Sequence, residues 1–394
     1  MDQRVYWIWL QLAIKPGSPL SNQLIERFAS PERVYAATAE DYRAIGLSKR
    51  QYQCLTDKSL KEAELLFRKT TGMGGWVLTP DDRYFPDGLR QIEAMPLVLY
   101  GRGEMPNLNV LPSIAMVGTR TCTKNGVNSA GFIAKGVAKG GAIVVSGGAE
   151  GIDAACHAGA LDAGGITIAV QACGLDVAYP VKNESLRRQI LRRGGAILTE
   201  YPLGERPLKT HFRPRNRLMS GMTDGTCVVE APQRSGALIT AHFAREQGKD
   251  VFAVPGSIFS YHSAGCNRLI RQGAVLVDDG ADIISEYQSR YHGLLNIQAA
   301  QSVTMRAVAD DGPSPNAAGG TTAKPMPTVE KRPLPAGVTD KAATLYGRLT
   351  ATPIPVDDLA DSLGWSTAEV LTVLTELELF GFVENHPGKL YSIK

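Results

Sequence analysis

AIVVSGGAEGIDAACHAGAL, residues 142–161, joins a β-branched apolar run, a glycine-opened turn and a stretch of helical length. The run is apolar on both faces, as strands of a parallel sheet covered by helices must be. Similar runs recur along the chain: SIAMVGT, ITIAVQA, AILTEY, GTCVVEA, DVFAVPG and AVLVDD, separated by amphipathic stretches of helical length. That alternation predicts an α/β fold, a Rossmann-like doubly wound, mostly parallel sheet with right-handed crossovers, over residues 73–290. The short lead-in GWVLTPDDRYFPDGLRQIEAMPLVLYGRG adds a strand at each end of a helix.

Outside the sheet the texture changes. Residues 1–72 carry helical apolar spacing with a glycine break at Gly46, which predicts a small helical domain of helix-hairpin-helix or sterile-alpha-motif-like form. Residues 291–337 turn rich in Pro, Gly, Ala and Thr, the composition of a flexible linker. Residues 338–394 regain periodicity as three helices and a hairpin turning near Pro387-Gly388, a winged-helix pattern. Its third helix, from Ser366 to Phe380, carries Glu369, Glu376 and Glu378 and no Lys or Arg. Facing a phosphate backbone, such a helix repels. Protein contact or plain structure suits it better than duplex reading.

Bulk composition narrows the classes. The 394 residues carry a net charge of +3, so affinity for a polyanion must come from clustering. Six scattered cysteines without a C-x-x-C pair give neither a disulfide framework nor a zinc site, and a reduced, cytoplasmic setting is expected. VYWIWLQLAI at the amino end is shorter than the roughly 18 apolar residues of a membrane span, and no membrane partner is expected. The six histidines show no metal-ligand spacing such as H-E-x-x-H. Neither G-x-x-x-x-G-K-[ST] nor G-x-G-x-x-G follows a strand, which argues against P-loop and dehydrogenase chemistry and against a nucleotide cofactor.

Ligands of a doubly wound sheet bind where strands end and helices begin. Three such loops offer anion-binding groups: Gly118, Thr119 and Arg120; Ser146, Gly147 and Gly148; and Ser235 with Gly236, followed on a later helix by Asn267. Each alone is equally explained by turn geometry or an N-cap. Charge breaks the tie. THFRPRNRLMSG, residues 210–221, sets Arg213, Arg215 and Arg217 on alternate positions around Pro214 and Asn216, and reads as a loop. From Lys182 through Lys209 to Arg217 there are ten Lys or Arg against three acids. A row of cations suits a polymer of phosphates better than one nucleotide, with Phe212 and Tyr179 available to stack bases.

VGTR, SGGAEGIDAACHAGAL, GLDVAYPVKNESL, FRPRNRLMSGMTD, VVEAPQRSGALITAHFA and VPGS…AGCNRLIRQGA occur in that order. Together they resemble the DNA-processing protein A (DprA/Smf) family over residues 75–287, and the flanking segments resemble domains found there. The resemblance implies a non-enzymatic single-stranded DNA-binding protein of natural transformation. It would protect incoming strands, dimerise through the Rossmann-like domain, and load RecA onto DNA coated by single-strand-binding protein. Phosphate contacts carry over to Gly118-Thr119-Arg120, Ser146-Gly147-Gly148, Lys182, Lys209 and Arg215-Asn216-Arg217. Two departures stand out: Gly148 and Glu150 where a leucine and a basic residue are usual, and a proline displaced to Pro214. A competing class is a phosphoribohydrolase on a similar fold, with Glu230 or Asp153 as its acid. A third reading, compatible with the first, is an adaptor acting through the acidic winged helix.

Overall fold

The computed structural model describes residues 2–303, 339–349, 354–386 and 390–393. It divides into two compact units, one within residues 1–308 and one within residues 309–394.

The larger unit begins with six helices: α1 (Arg4–Ile14), α2 (Leu20–Phe28), α3 (Pro31–Ala36), α4 (Ala39–Arg43), α5 (Lys49–Thr56) and α6 (Lys61–Gly72). Ser30, Thr38 and Ser48 cap α3, α4 and α5 by accepting a backbone amide in the first turn. A nine-stranded sheet follows, built from β1 (Gly75–Leu78), β2 (Leu99–Gly103), β3 (Ser113–Val117), β4 (Ile143–Ser146), β5 (Thr167–Gln171), β6 (Ala196–Thr199), β7 (Gly225–Val228), β8 (Asp250–Ala253) and β9 (Val275–Leu276). Its order is β1-β2-β6-β5-β4-β3-β7-β8-β9. The lead-in strands β1 and β2 pair antiparallel, β2 joins β6 antiparallel, and the remaining pairs are parallel. This is the expected doubly wound, mostly parallel architecture.

Helices cover both faces: α7 (Asp87–Arg90), α8 (Lys124–Lys139), α9 (Ile152–Asp162), α10 (Glu184–Arg192), α11 (Lys209–Gly221), α12 (Ala237–Glu246), α13 (Ala264–Arg271), α14 (Gly280–Tyr287) and α15 (Ile297–Gln301). The two-residue period of β3 separates two cores. Ala115 and Val117 join Leu218 and Met219 of α11 and Ala241 of α12. Ile114 and Met116 join Ile133 of α8, Cys156 of α9 and Ile284 of α14.

Two sequence boundaries shift. Residues 1–72 share a core with the sheet: Trp7, Ile8 and Leu10 of α1 pack with Val98, Tyr100 and Ile197. Gln11 donates to the Glu200 carbonyl at 2.7 Å and accepts the Val98 amide at 2.8 Å. The amino-terminal helices are therefore part of the larger unit. Residues 291–303, expected to begin a linker, are also packed, with Tyr291, Leu295 and Ala300 buried against the α8–α14 face. The rest of that expected linker lies outside the described residues.

The smaller unit holds α16 (Asp340–Arg348), β10 (Ile354–Pro355), α17 (Val356–Leu363), α18 (Thr367–Leu379), β11 (Val383–His386) and β12 (Leu390–Ile393). Its strands form an antiparallel sheet of order β10-β12-β11, the predicted winged-helix pattern. Leu345, Val370, Leu374 and Leu377 form the core. Two of the α18 glutamates serve the unit internally. Glu369 completes a capping box with Ser366 and lies 3.1 Å from Lys341, which hold its carboxyl down at about 2. Glu376 accepts from the Thr339 hydroxyl at 2.9 Å. The turn expected near Pro387-Gly388 lies outside the described residues.

Candidate nucleic-acid interface

At β3 the chain winds outward in both directions, to β4 on one side and β7 on the other. Loops leaving the carboxyl ends of such neighbours diverge and open a crevice. A cavity of about 410 Å³ lies there, lined by Gly118, Thr119, Arg120, Arg215, Asn216, Ser235 and Gly236 among others. Seven of the sequence-predicted residues thus meet in one place.

Two glycines are there because neighbours press on them. A β-carbon on Gly118 would sit 2.6 Å from the Ile152 side chain at the start of α9. One on Gly147 would sit 2.4 Å from the Arg215 guanidinium. Thr119 donates its amide to the Glu230 carbonyl at 2.8 Å and its hydroxyl to the Thr121 carbonyl at 3.3 Å. Arg120 is exposed; its guanidinium lies 4.4 Å over the Phe212 ring, with Nη1 3.5 Å from the Tyr179 hydroxyl. Stacking on an aromatic face orients that cation while leaving its edge open to an anion.

The stretch 210–221 is not a loop. It lies within α11, with Pro214 as the sixth helical residue. Successive helical residues are about 100° apart, so side chains two positions apart point to nearly opposite sides. Arg215 faces the crevice. It donates through Nη1 to the Gly147 and Val170 carbonyls and through Nε to Asn216 Oδ1 at 3.2 Å. Burial opposes its charge, while the buried Asp153 carboxylate favours it. Asp153 in turn has its carboxyl raised by burial, against the pull of Arg215. Asn216 donates to the Gly236 carbonyl at 3.3 Å, linking α11 to the start of α12.

Arg217 points into the interior. Its Nη2 lies 2.8 and 2.7 Å from the two oxygens of Glu200, and both residues are buried. The expectation that Arg217 grips phosphate alongside Arg215 is corrected by this helical placement.

Other expected contacts divide similarly. Ser146 is fully buried and donates to the Met116 carbonyl at 2.7 Å, so its hydroxyl ties β4 to β3. Gly148 lends its carbonyl to Asn183 Nδ2 at 3.1 Å. Lys182 and Glu150 form an exposed pair at 3.1 Å, which brings together the expected cation and the anomalous acid. Lys209 and Arg213 are exposed on α11, outside the crevice lining. Ser235 accepts the Ala237 amide at 3.3 Å through its hydroxyl and the Leu238 amide at 3.2 Å through its carbonyl, so it closes the first turn of α12 at the crevice. Asn267 instead fixes a loop, donating to the Gly256 carbonyl at 2.9 Å and accepting its amide at 3.2 Å.

Arg234 and Tyr261 also line the crevice, and the sequence reading missed both. Arg234 had a signal, a cation directly before a helix start; Tyr261 had none. Of the acids considered for catalysis, Glu230, just past β7, accepts the Thr123 amide at 2.9 Å and hydroxyl at 2.6 Å and so holds the N-cap residue of α8.

The chain matches the family model of DNA recombination-mediator protein A over residues 76–288 and that of the DprA winged helix domain over residues 329–389. DNA processing protein DprA of Streptococcus pneumoniae is 44% identical over 207 residues, covering 52% of this chain and 72% of that protein. The X-ray structure of DprA from the same species superposes with a TM-score of 0.62 at 35% identity, over 71% of this chain and 95% of that one. DNA processing protein A of Helicobacter pylori, whose structure was described for its single-stranded DNA binding mode, gives a TM-score of 0.50 at 30% identity, over 55% of this chain and 97% of that one.

Proposed function

The chain belongs to the DNA recombination-mediator protein A family, and from that we propose that it binds single-stranded DNA along the carboxyl rim of its sheet. Arg120, Arg215 and Arg234 neutralise backbone phosphates in the crevice. Lys182, Lys209 and Arg213 extend the cationic surface outward. Asn216 holds the Arg215 guanidinium by its Nε, which leaves the fork oriented before a ligand arrives. The observation that carries this reading is the convergence of three arginines on one switch-point crevice, two of them from loops and one from α11.

Protection of the strand follows from its seating in the crevice. The bound filament is then handed to RecA, displacing single-strand-binding protein, by a homodimer formed through the Rossmann-like unit in the cytoplasm. No covalent chemistry is assigned to the crevice. The winged-helix unit, with its acidic α18, acts as a protein-contacting adaptor. Among the described residues no helix is long and apolar enough to cross a membrane.

A mobility shift of single-stranded against duplex oligonucleotide at two salt concentrations tests the binding reading. Tighter single-strand binding that weakens steeply with salt supports it; salt-insensitive or duplex-selective binding rejects it. RecA filament formation on DNA precoated with single-strand-binding protein, with full-length protein and a form ending before residue 338, tests the loading step.

A further inference from the structure

Between β8 and α13 the chain forms a turn, Val254–Ser263, three of whose large apolar side chains face water. Phe259 is 93% exposed, Ile258 85% and Tyr261 68%. Among the described residues Phe259 is the most exposed large hydrophobic side chain. Isolated apolar exposure is ordinary, but three large groups crowded on one turn call for a partner.

The turn is held rather than loose. Asn267 clamps Gly256 through both its amide and carbonyl. The Ser260 amide donates to the Ser257 carbonyl at 3.0 Å, and the Phe259 amide to the Ser257 hydroxyl at 3.3 Å. At Gly256 a β-carbon would meet Ser263 Oγ at 2.1 Å, so that serine packs the base of the turn. These bonds place Phe259 outward as a fixed projection.

Position identifies the occupant. Tyr261, two residues on, lines the crevice that holds Arg120, Arg215 and Arg234. Inside the crevice, the Phe212 face is taken by the Arg120 guanidinium and its flank by Tyr179, with ring centroids 6.0 Å apart. A strand whose phosphates lie on the arginines needs an aromatic surface for its bases, and one face of Phe212 is already covered by Arg120. A protein partner suits the turn less well. One side of a stable protein interface buries about 800 Å², far more than three side chains spaced by Ser257, Ser260 and Ser263 can offer.

We infer that Tyr261 and Phe259 form a base-stacking platform continuing the crevice outward, so that successive unpaired bases stack on the turn while their phosphates stay on the cationic rim. This rests on the single-stranded DNA reading above. Stacking is sequence-tolerant because every base presents a π-face.

The test compares full-length wild type, Phe259→Ala, Tyr261→Ala and Phe259→Trp on two oligomers of equal length, oligo(dT) and its abasic tetrahydrofuran counterpart. Each alanine variant should bind oligo(dT) weaker by roughly fivefold or more, with Phe259→Trp close to wild type. All four proteins should bind the abasic oligomer alike, since only phosphates remain. Equal affinity of the alanine variants and wild type for oligo(dT) overturns the platform. So does a parallel loss on the abasic oligomer. A shift of Phe259→Ala to a smaller species in analytical ultracentrifugation also overturns it, assigning the turn to self-association. Failure of the wild type to bind either oligomer would reject the single-stranded DNA reading itself.

Discussion

Arg217 donates to both carboxylate oxygens of Glu200 at 2.8 and 2.7 Å, in a place where neither side chain reaches solvent. Burial pushes the Glu200 carboxyl up, and the guanidinium pulls it back toward the charged form. Glu200 also accepts the Gly17 amide at 3.3 Å, and its carbonyl accepts from Gln11. The pair joins α11, the end of β6 and the turn after α1.

Breaking that pair leaves a buried charge alone. Arg217→Ala should lose about 3–5 kcal/mol of stability. In differential scanning calorimetry this is a drop of roughly 5–15 °C in the midpoint. Arg217 Nε and Nη1 have no hydrogen-bond partner among the described residues, so the pair is incompletely satisfied. The double replacement Glu200→Leu with Arg217→Met should therefore recover much of the loss. A single variant that melts like wild type contradicts the assignment.

Arg120 is the exposed fork of the crevice, and its removal disturbs little packing. Arg120→Ala should weaken single-stranded oligonucleotide binding about tenfold or more, as a charge-assisted hydrogen bond is worth about 1.5–3 kcal/mol. It should also make the slope of log affinity against log salt shallower by about 0.7 for each phosphate that is no longer neutralised. Fluorescence anisotropy across a salt series measures both, with thermal stability unchanged.

Glu150 engages Lys182 at the crevice margin. Glu150→Gln should free that lysine and strengthen single-strand binding by up to about fivefold at low salt, the scale of an exposed pair. At high salt the gain should vanish. Weaker binding in the glutamine variant would show that Glu150 serves the site directly.

His157 is fully buried, and its ring is held near a pKa of about 3 by burial first and by the Arg215 charge second. Thr167 gives its hydroxyl proton to the Val144 carbonyl, so it accepts from His157 Nδ1, and Nε2 is left as a bare acceptor. The unfolded chain takes up a proton near pH 6.5 that the native state refuses. Stability from this residue is complete above that pH and falls as pH drops toward 3. At pH 5.5 the loss should be about 1.4 kcal/mol. Comparing urea midpoints of wild type and His157→Gln at pH 7.5 and 5.5 should show a flatter response in the variant.

Strand positions were legible because burial on both faces leaves continuous apolar runs, as in β3, where all five residues are buried. The crevice was legible through Gly118, Arg120 and Ser235, which lie where strands give way to helices. Pro214 concealed α11. A proline reads as a break, yet here it lies in the second turn, and its ring abuts Gly17, where a β-carbon would come within 3.0 Å. Once the stretch is helical, alternate arginines part company, and no local pattern names Glu200, 17 positions away, as the partner of Arg217. Ser146 and Asn267 were misread for a related reason. A hydroxyl or amide beside a glycine loop satisfies a carbonyl as readily as it would a ligand.

The core shared between α1 and the sheet, keyed by Gln11 and Arg217 to Glu200, bears on modularity. A fragment starting at β1 would present Val98, Tyr100 and Ile197 to water and strand an ion pair at the cut. The amino-terminal segment is thus not an interchangeable cassette. Any graft from a relative must bring its own complement to the Glu200 carbonyl and carboxylate.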